Sequence, residues 1–166
     1  MNDRELELAH ATRAALRRVP TGVAVVTAVR EGEARGITIN AFTSVSLEPP
    51  TLLICVNRQA RSYLYIAHSR RFALSVLAAE QREIAERFSG KRREMQFEGL
   101  AIERGLEGIP LIAEAIAHFE CAVSQEHAVG SHSIFIAEVE RATHRAGEPL
   151  GYFDGAFRSF ALERTS

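Results

Sequence analysis

The apolar residues of this chain come in runs no longer than a strand, and almost every run ends on a turn signal. Residues 23–26 and 52–56 are among the longest, far below the roughly 20 residues of a membrane-spanning helix. TGVAVVTAV, residues 21–29, is β-branched and almost wholly apolar. EGEA supplies a turn around Gly32, and residues 35–40 resume as a strand, which predicts a hairpin. Glu48, Pro49 and Pro50 stop any regular element. TLLICVN then restarts as a third strand, with Leu52, Ile54 and Val56 alternating against Leu53 and Cys55. Residues 72–77 are strand-like, and AIAHFECAVSQEHAV and HSIFIAEVERATH read as two long strands separated near Gly130. The last apolar segment, 150–160, carries Tyr152, Phe153, Phe157 and Phe160.

Helical spacing is confined to three places. Asn2 and Glu5 have the spacing of a capping box, and Leu6, Ala9, Leu16 and Val19 fall near one face of a helix that ends before Pro20. Residues 60–69 suit a short helix through Tyr63, Leu64, Ile66 and Ala67, and residues 80–88 form another. Many short strands, hairpin turns and few helices predict a mainly β fold: an antiparallel, closed or nearly closed barrel with peripheral α-helices, its edge strands removed by closure.

A length of 166 residues suits one domain, 1–166, and no internal repeat or low-complexity segment argues otherwise. With 46% hydrophobic and 25% charged residues, neither disorder nor a membrane span is indicated. Twenty basic and 21 acidic residues spread over the chain create no broad positive field, which disfavours nucleic acid. MNDRELELAH has no apolar signal region, so the expected location is the cytoplasm. Cys55 and Cys121 sit inside apolar runs and are expected to be reduced core thiols, not a disulfide or a metal pair.

Several chemistries lack their sequence signature. No G-x-G-x-x-G stands between a strand and a helix. A phosphate-binding Walker loop fails at Ala85 and Arg92, where glycine and a hydroxyl residue are required. His118, His127 and His132 fall in no metal-ligand spacing, and no serine or cysteine lies in a nucleophile elbow. Hydride transfer between bound rings needs no protein nucleophile and is compatible with such a chain. The densest row of neutral hydrogen-bonding groups is GITINAFTSVSLEPP, residues 36–50, with Thr38, Asn40, Thr43, Ser44 and Ser46. As a strand it puts Thr38, Asn40 and Phe42 on one face and Ile37 and Ile39 on the other. From the residues alone it is either a surface strand running into a loop or a wall that shows hydroxyls to a ligand. SGKRREMQF, residues 89–97, reads as a solvated loop or a flap.

Taken in succession, PTGVAVVTA, GITINAFTSVSLEPPTLLICVNR, FALSVLAAEQREIAERFSG, GIPLIAEAIAHFECAV, GSHSIFIAEV and PLGYFDGAFRSF resemble the flavin reductase family with the FMN-binding split-barrel fold. The resemblance implies a homodimeric enzyme that reduces FMN or FAD with NADH or NADPH, and a flavin-dependent monooxygenase as its partner. It places Thr38, Asn40, Ala41, Phe42, Thr43 and Ser44, with Ser46 nearby, on the isoalloxazine edge and ribityl chain. Cys55, Val56, Asn57 and Arg58 would line the flavin, and Arg61 and Ser62 would face its phosphate. Phe88, Ser89, Gly90 and Phe97 match the segment that closes over the flavin, but Gln96 stands where the family commonly has arginine. Arg92 or Arg93 would then be its substitute. The family's Gly-Asp-His appears as Gly130, Ser131 and His132, which makes His132 the catalytic candidate for orienting the nicotinamide. Tyr152, Phe153, Asp154 and Gly155 match a segment that contacts the nicotinamide nucleotide, and the charge of Asp154 tilts the expectation toward NADH. The departures at Gln96 and Ser131 keep a second expectation open: a tight FMN-binding electron carrier without nicotinamide turnover.

Overall fold

The structure is a computed structural model and describes residues 2–90 and 95–160. The element order is α1 (Asp3–Leu16), β1 (Thr21–Gly22), β2 (Ala24–Arg30), β3 (Glu33–Ile39), β4 (Phe42–Leu47), β5 (Pro50–Asn57), α2 (Arg61–Ser69), β6 (Arg71–Val76), α3 (Arg82–Ser89), β7 (Ile102–Arg104), β8 (Pro110–Ile112), β9 (Ala117–Val129), β10 (His132–His144), β11 (Leu150–Phe153) and β12 (Ala156–Ser159).

Seven strands form one antiparallel sheet in the order β3-β2-β6-β9-β10-β5-β4. Ile39 from one end of that order and Leu52 and Ile54 from the other are buried in one core with Val26, Leu74 and Phe135, so the sheet curls round its own apolar face. The alternation read in β5 holds, with Leu52, Ile54 and Val56 inward. Full closure does not. Among the described residues no ladder joins β3 to β4, although they are consecutive and separated by Asn40 and Ala41 alone. The barrel is split at that corner, and both strands remain edges.

β2 explains its unbroken apolar sequence by being buried on both faces. Ala24, Val26 and Ala28 point into the barrel, while Val25 joins Val23, Leu77, Ala85, Phe88, Ile112 and Leu150 in a second core beneath α3. α2 sets Ile66 into the barrel core. A smaller sheet, β1-β11-β12, ties the C-terminal hairpin to the segment that follows α1.

Three expectations from the sequence need correction, and one element is new. Residues 42–47 are a strand with a bulge between Ser44 and Ser46, not a loop, because pairing with β5 satisfies their backbone better than solvent does. The new element is the short hairpin β7–β8 within residues 102–112, in a segment where Gly105, Gly108 and Pro110 give turn signals. The predicted cap of α1 is present, with Glu5 N–H donating to Asn2 Oδ1 at 2.9 Å, yet its apolar face covers nothing and the helix has no buried residue. Of the cysteines, both free, Cys121 is buried but Cys55 is half-exposed on the outer face of β5. No helix among the described residues is long and apolar enough to cross a membrane.

Candidate functional site

The split between β3 and β4 opens onto three adjoining cavities. The first, about 190 Å³, lies where β3, the start of α2 and the end of α3 meet, and is lined by Gly36, Arg61, Ser62, Phe88, Ser89 and Gly90 among others. The second, about 480 Å³, shares Ser89 with it and adds Thr38, Asn40, Tyr152, Gly155 and Phe157. The third, about 400 Å³, shares Asn40 and Tyr152 with the second and is walled by Ala41, Asp154 and the last turn of α1. Residues far apart in sequence thus form one continuous groove because the β3–β4 corner, α3 and the β11–β12 hairpin converge.

In the first cavity the chemistry suits an anion. α2 begins at Ala60 with no side-chain cap, so its first amides lack the partner a serine or aspartate would supply. The positive end of the helix dipole adds to the Arg61 guanidinium, which has no partner among the described residues. Ser62 is committed instead: its hydroxyl donates to Gly36 O at 3.0 Å and is buried. Gln96 also turns to the strand. Gly36 N–H donates to Gln96 Oε1 and Gln96 Nε2 donates to Gly36 O, both at 3.3 Å, so the buried amide pairs with the strand-free edge of β3 as a strand would. An arginine has no acceptor to complete that pairing. Gln96 here is a neutral edge partner; Arg92 and Arg93 lie outside the described residues.

In the second cavity Thr38 donates to Ala85 O at 2.7 Å and fixes α3 against β3. Asn40, at the corner, is exposed and donates to Thr21 Oγ1 at 3.2 Å, leaving its carbonyl oxygen open. Arg82 and Glu86 pair with each other at 2.8 Å along the α3 wall. Phe88 and Phe97 meet edge to face at 5.2 Å in the second core. Their contact supports the cavity from behind.

The remaining expected residues do not reach this groove within one chain. Phe42 packs against the barrel core and Val56 is buried in it, 1% exposed, so Val56 offers a ligand no side chain. Thr43, paired with Leu53, and Asn57, paired with His132, share the outer face of the sheet with Cys55. Ser44 sits exposed beside the β4 bulge. Arg58 clamps the β9–β10 turn by donating to Gly130 O. His132 lies at that turn, partly exposed, with Nδ1 2.9 Å from the Ser131 hydroxyl. His118 is structural: Nε2 lies 2.8 Å from Ile112 O, which can only accept, so Nε2 carries the proton and Nδ1 accepts from Thr143 Oγ1 at 3.2 Å.

At the third cavity Asp154 is not a free carboxylate. Arg17 Nε donates to Asp154 Oδ1 at 3.1 Å and Nη2 to Asp154 O at 2.9 Å, Asp154 N–H donates to Arg17 O at 3.0 Å, and Arg18 lies 3.7 Å from Oδ2. Arg18 also stacks over Phe153, 4.9 Å from the ring centre. Arg13 and Arg17, one helical turn apart, are the wall residues that sequence reading missed; their i,i+4 spacing before Pro20 was the available signal.

Comparison with known proteins gives the groove its context. The flavin reductase like domain model matches residues 16–161. The FMN reductase (NADH) SmoA of Agrobacterium fabrum is 38% identical over 151 residues, 91% of this chain and 86% of its own. The reductase component of a 4-nitrophenol 4-monooxygenase/4-nitrocatechol 2-monooxygenase from Rhodococcus opacus is 34% identical over 146 residues, 88% and 78% of the two chains. Among solved structures, the Streptomyces globisporus NADH:FAD oxidoreductase SgcE6 in complex with NAD and FAD fragments superposes with a TM-score of 0.88 at 41% identity, covering 94% of each chain.

Proposed function

The chain belongs to the flavin reductase-like domain family, and from that premise we propose that the groove at the split barrel corner is where it binds flavin and reduced nicotinamide nucleotide. It is an NADH-dependent flavin reductase that supplies reduced FMN or FAD to a monooxygenase. When both are bound, the flavin accepts the hydride that the reduced nicotinamide gives up.

The observation that carries the assignment of the groove is its gradation of chemistry. A cationic pocket with uncapped helix amides adjoins, at Ser89, a larger space lined by neutral hydrogen-bonding groups, aromatic rings and the mutually paired Arg82 and Glu86. Those donors fit a phosphate at one end and a flat ring with polar edges at the other. Arg61 and the first amides of α2 hold the flavin phosphate. Asn40 orients the ring edge with its open carbonyl oxygen, while Thr38 keeps α3 in place through Ala85. Tyr152, which faces Phe157 edge to face at 5.5 Å, walls the ring from the hairpin side. Asp154 is paired with Arg17 and Arg18, which offsets part of the charge that would repel a 2′-phosphate.

The expected residues on the outer sheet face, Thr43, Asn57, Arg58 and His132, complete the site from a second copy of the chain. Support comes from their separation from the groove in one chain and from the apolar residues that surround them: Leu53, Cys55, Ile134 and Ile136, all half-exposed. In that arrangement His132 of one protomer orients the nicotinamide at its partner's groove.

Steady-state oxidation of NADH and of NADPH, with FMN and FAD added in turn, tests the assignment. Flavin-dependent NADH oxidation is expected, falling at least tenfold in kcat/KM for flavin in Arg61→Ala. A protein that keeps bound flavin through gel filtration and consumes no NADH is an electron carrier instead.

A further inference from the structure

The third cavity has two features that the flavin assignment leaves unused: a surplus of positive charge and a wall that is held by one ion-pair cluster. Arg13 and Arg17 line the cavity together with a single carboxylate, Asp154, which pairs with Arg17 and, outside the lining, with Arg18. Arg13 has no side-chain partner among the described residues. The Arg17 guanidinium lies flat on the β11–β12 turn because residue 155 is glycine: a Cβ there would stand 2.9 Å from Nη2, and its φ of +79° also favours glycine. The arginine and aspartate side chains are about half-exposed, 55% and 45%, so water screens their attraction and a more highly charged anion competes well with it.

We propose that the last turn of α1 is the pyrophosphate-binding wall of a bound dinucleotide, with Arg13 and Arg17 as its specificity-determining residues and Asp154 as the internal anion that occupies Arg17 until the ligand arrives. The proposal rests on the assignment of the neighbouring cavity to the flavin ring. The cavity shares Asn40 and Tyr152 with that space, so a dinucleotide with one ring against the flavin would extend its phosphates toward α1. Leu16 and Val19, both largely exposed, line the same cavity and offer apolar cover to the second nucleoside. Two guanidiniums spaced i,i+4 present forked donors to a diphosphate, which lysines would not. The pyrophosphate is that of the nicotinamide dinucleotide, because the flavin phosphate, and with it the pyrophosphate of FAD, belongs at Arg61 in the first cavity.

Two substitutions separate this role from mere attachment of α1. Arg17→Gln removes the charge and the ion pair, whereas Asp154→Asn removes the ion pair and leaves the charge. If Arg17 binds pyrophosphate the two act in opposite directions: Arg17→Gln and Arg13→Gln weaken dinucleotide binding about tenfold, and Asp154→Asn strengthens it severalfold. If the pair only attaches α1, Arg17→Gln and Asp154→Asn weaken binding alike, and the proposal is overturned. The readout is calorimetric titration of NAD⁺ into FMN-loaded protein, beside the FMN and FAD dissociation constants from fluorescence. Weakened NAD⁺ with unchanged FMN identifies the nicotinamide dinucleotide as the source. Weakened FAD with unchanged FMN and NAD⁺ would put the FAD pyrophosphate at α1 and overturn the proposal. Unchanged constants for every ligand in Arg13→Gln and Arg17→Gln overturn the proposal. Failure of wild-type protein to bind FMN refutes the flavin assignment itself, and NAD⁺ titration of flavin-free protein then still reads the arginines.

Discussion

At the scale of single residues, close contact decides more than propensity does. Gly36, on β3, is buried against α3, and a Cβ there would stand 2.5 Å from a ring carbon of Phe88. Phe88 is 3% exposed and packed against Phe97, so it cannot swing away. Gly36→Ala is expected to cost about 1–3 kcal/mol through overpacking and to move Ser89 and Gly90, hence to lower both the unfolding midpoint and flavin affinity. Urea unfolding monitored beside flavin titration checks both effects; an unchanged midpoint would mean that the β3–α3 contact is loose. A second residue-level expectation concerns pH. Burial, aided by the charge of Glu120, pushes the Cys121 thiol up to about 12. The folded state therefore favours the protonated thiol. Its contribution to stability is complete below the unfolded thiol value, roughly 8.5, and is lost as pH rises from there through about 12. Denaturation midpoints measured between pH 8 and 10.5 should fall more steeply for wild type than for Cys121→Val, and equal slopes would contradict the shift. Cys55, half-exposed, also has its thiol raised by burial.

At the scale of elements, period and capping were legible where one face of a segment is simply buried. β5 alternates in sequence and in burial, and the Asn2 and Glu5 box starts α1 as expected. What the sequence could not convey was pairing between segments that are distant along the chain. β4 looks like a hydroxyl-rich loop because its side chains are mostly exposed, and only its ladder with β5 makes it a strand. Gln96 looks like a lost cation because its backbone partners, on Gly36, lie 60 residues away. Asp154 looks like a repulsive charge because Arg17 lies 137 residues away. The groove was legible as residue types at Thr38, Asn40, Arg61 and Ser89, while its continuity through shared Ser89, Asn40 and Tyr152 was not. α1 supplies the test at this scale. It buries no residue and is tied to the hairpin through Arg17 and Arg18, so its stability is nearly local. Asn2→Ala removes the cap, about 1 kcal/mol of helix stability, and should speed amide exchange throughout residues 3–16 while leaving exchange in β2, β6 and β9 unchanged. Faster exchange in those strands would mean that α1 braces the barrel.

At the scale of the whole molecule, the arrangement of apolar surface argues for association. The inner face of the sheet has a complete core, but the outer face of β5 and β10 keeps Leu53, Cys55, Ile134 and Ile136 half-exposed in one patch, with Val45 and Leu47 of the β4 edge largely exposed. A soluble monomer gains nothing from apolar side chains at four paired sheet positions, whereas a second copy laid on them buries apolar area on both sides. The patch is rimmed by Thr43, Asn57 and His132, residues that the family resemblance ties to the flavin and nicotinamide but that miss the groove of their own chain. Association and catalysis should therefore fail together. Ile134→Lys places a charge in the middle of the patch without touching any cavity-lining residue, because Ile134 pairs with Cys55 and His127 on the outer face. The variant is expected to elute as a folded monomer in gel filtration with light scattering and to retain the wild-type far-ultraviolet dichroism. It should lose at least tenfold in kcat/KM for NADH. A monomer with undiminished turnover would show that one chain's groove is sufficient and would return His132 to the role of a hairpin-turn histidine held beside Ser131.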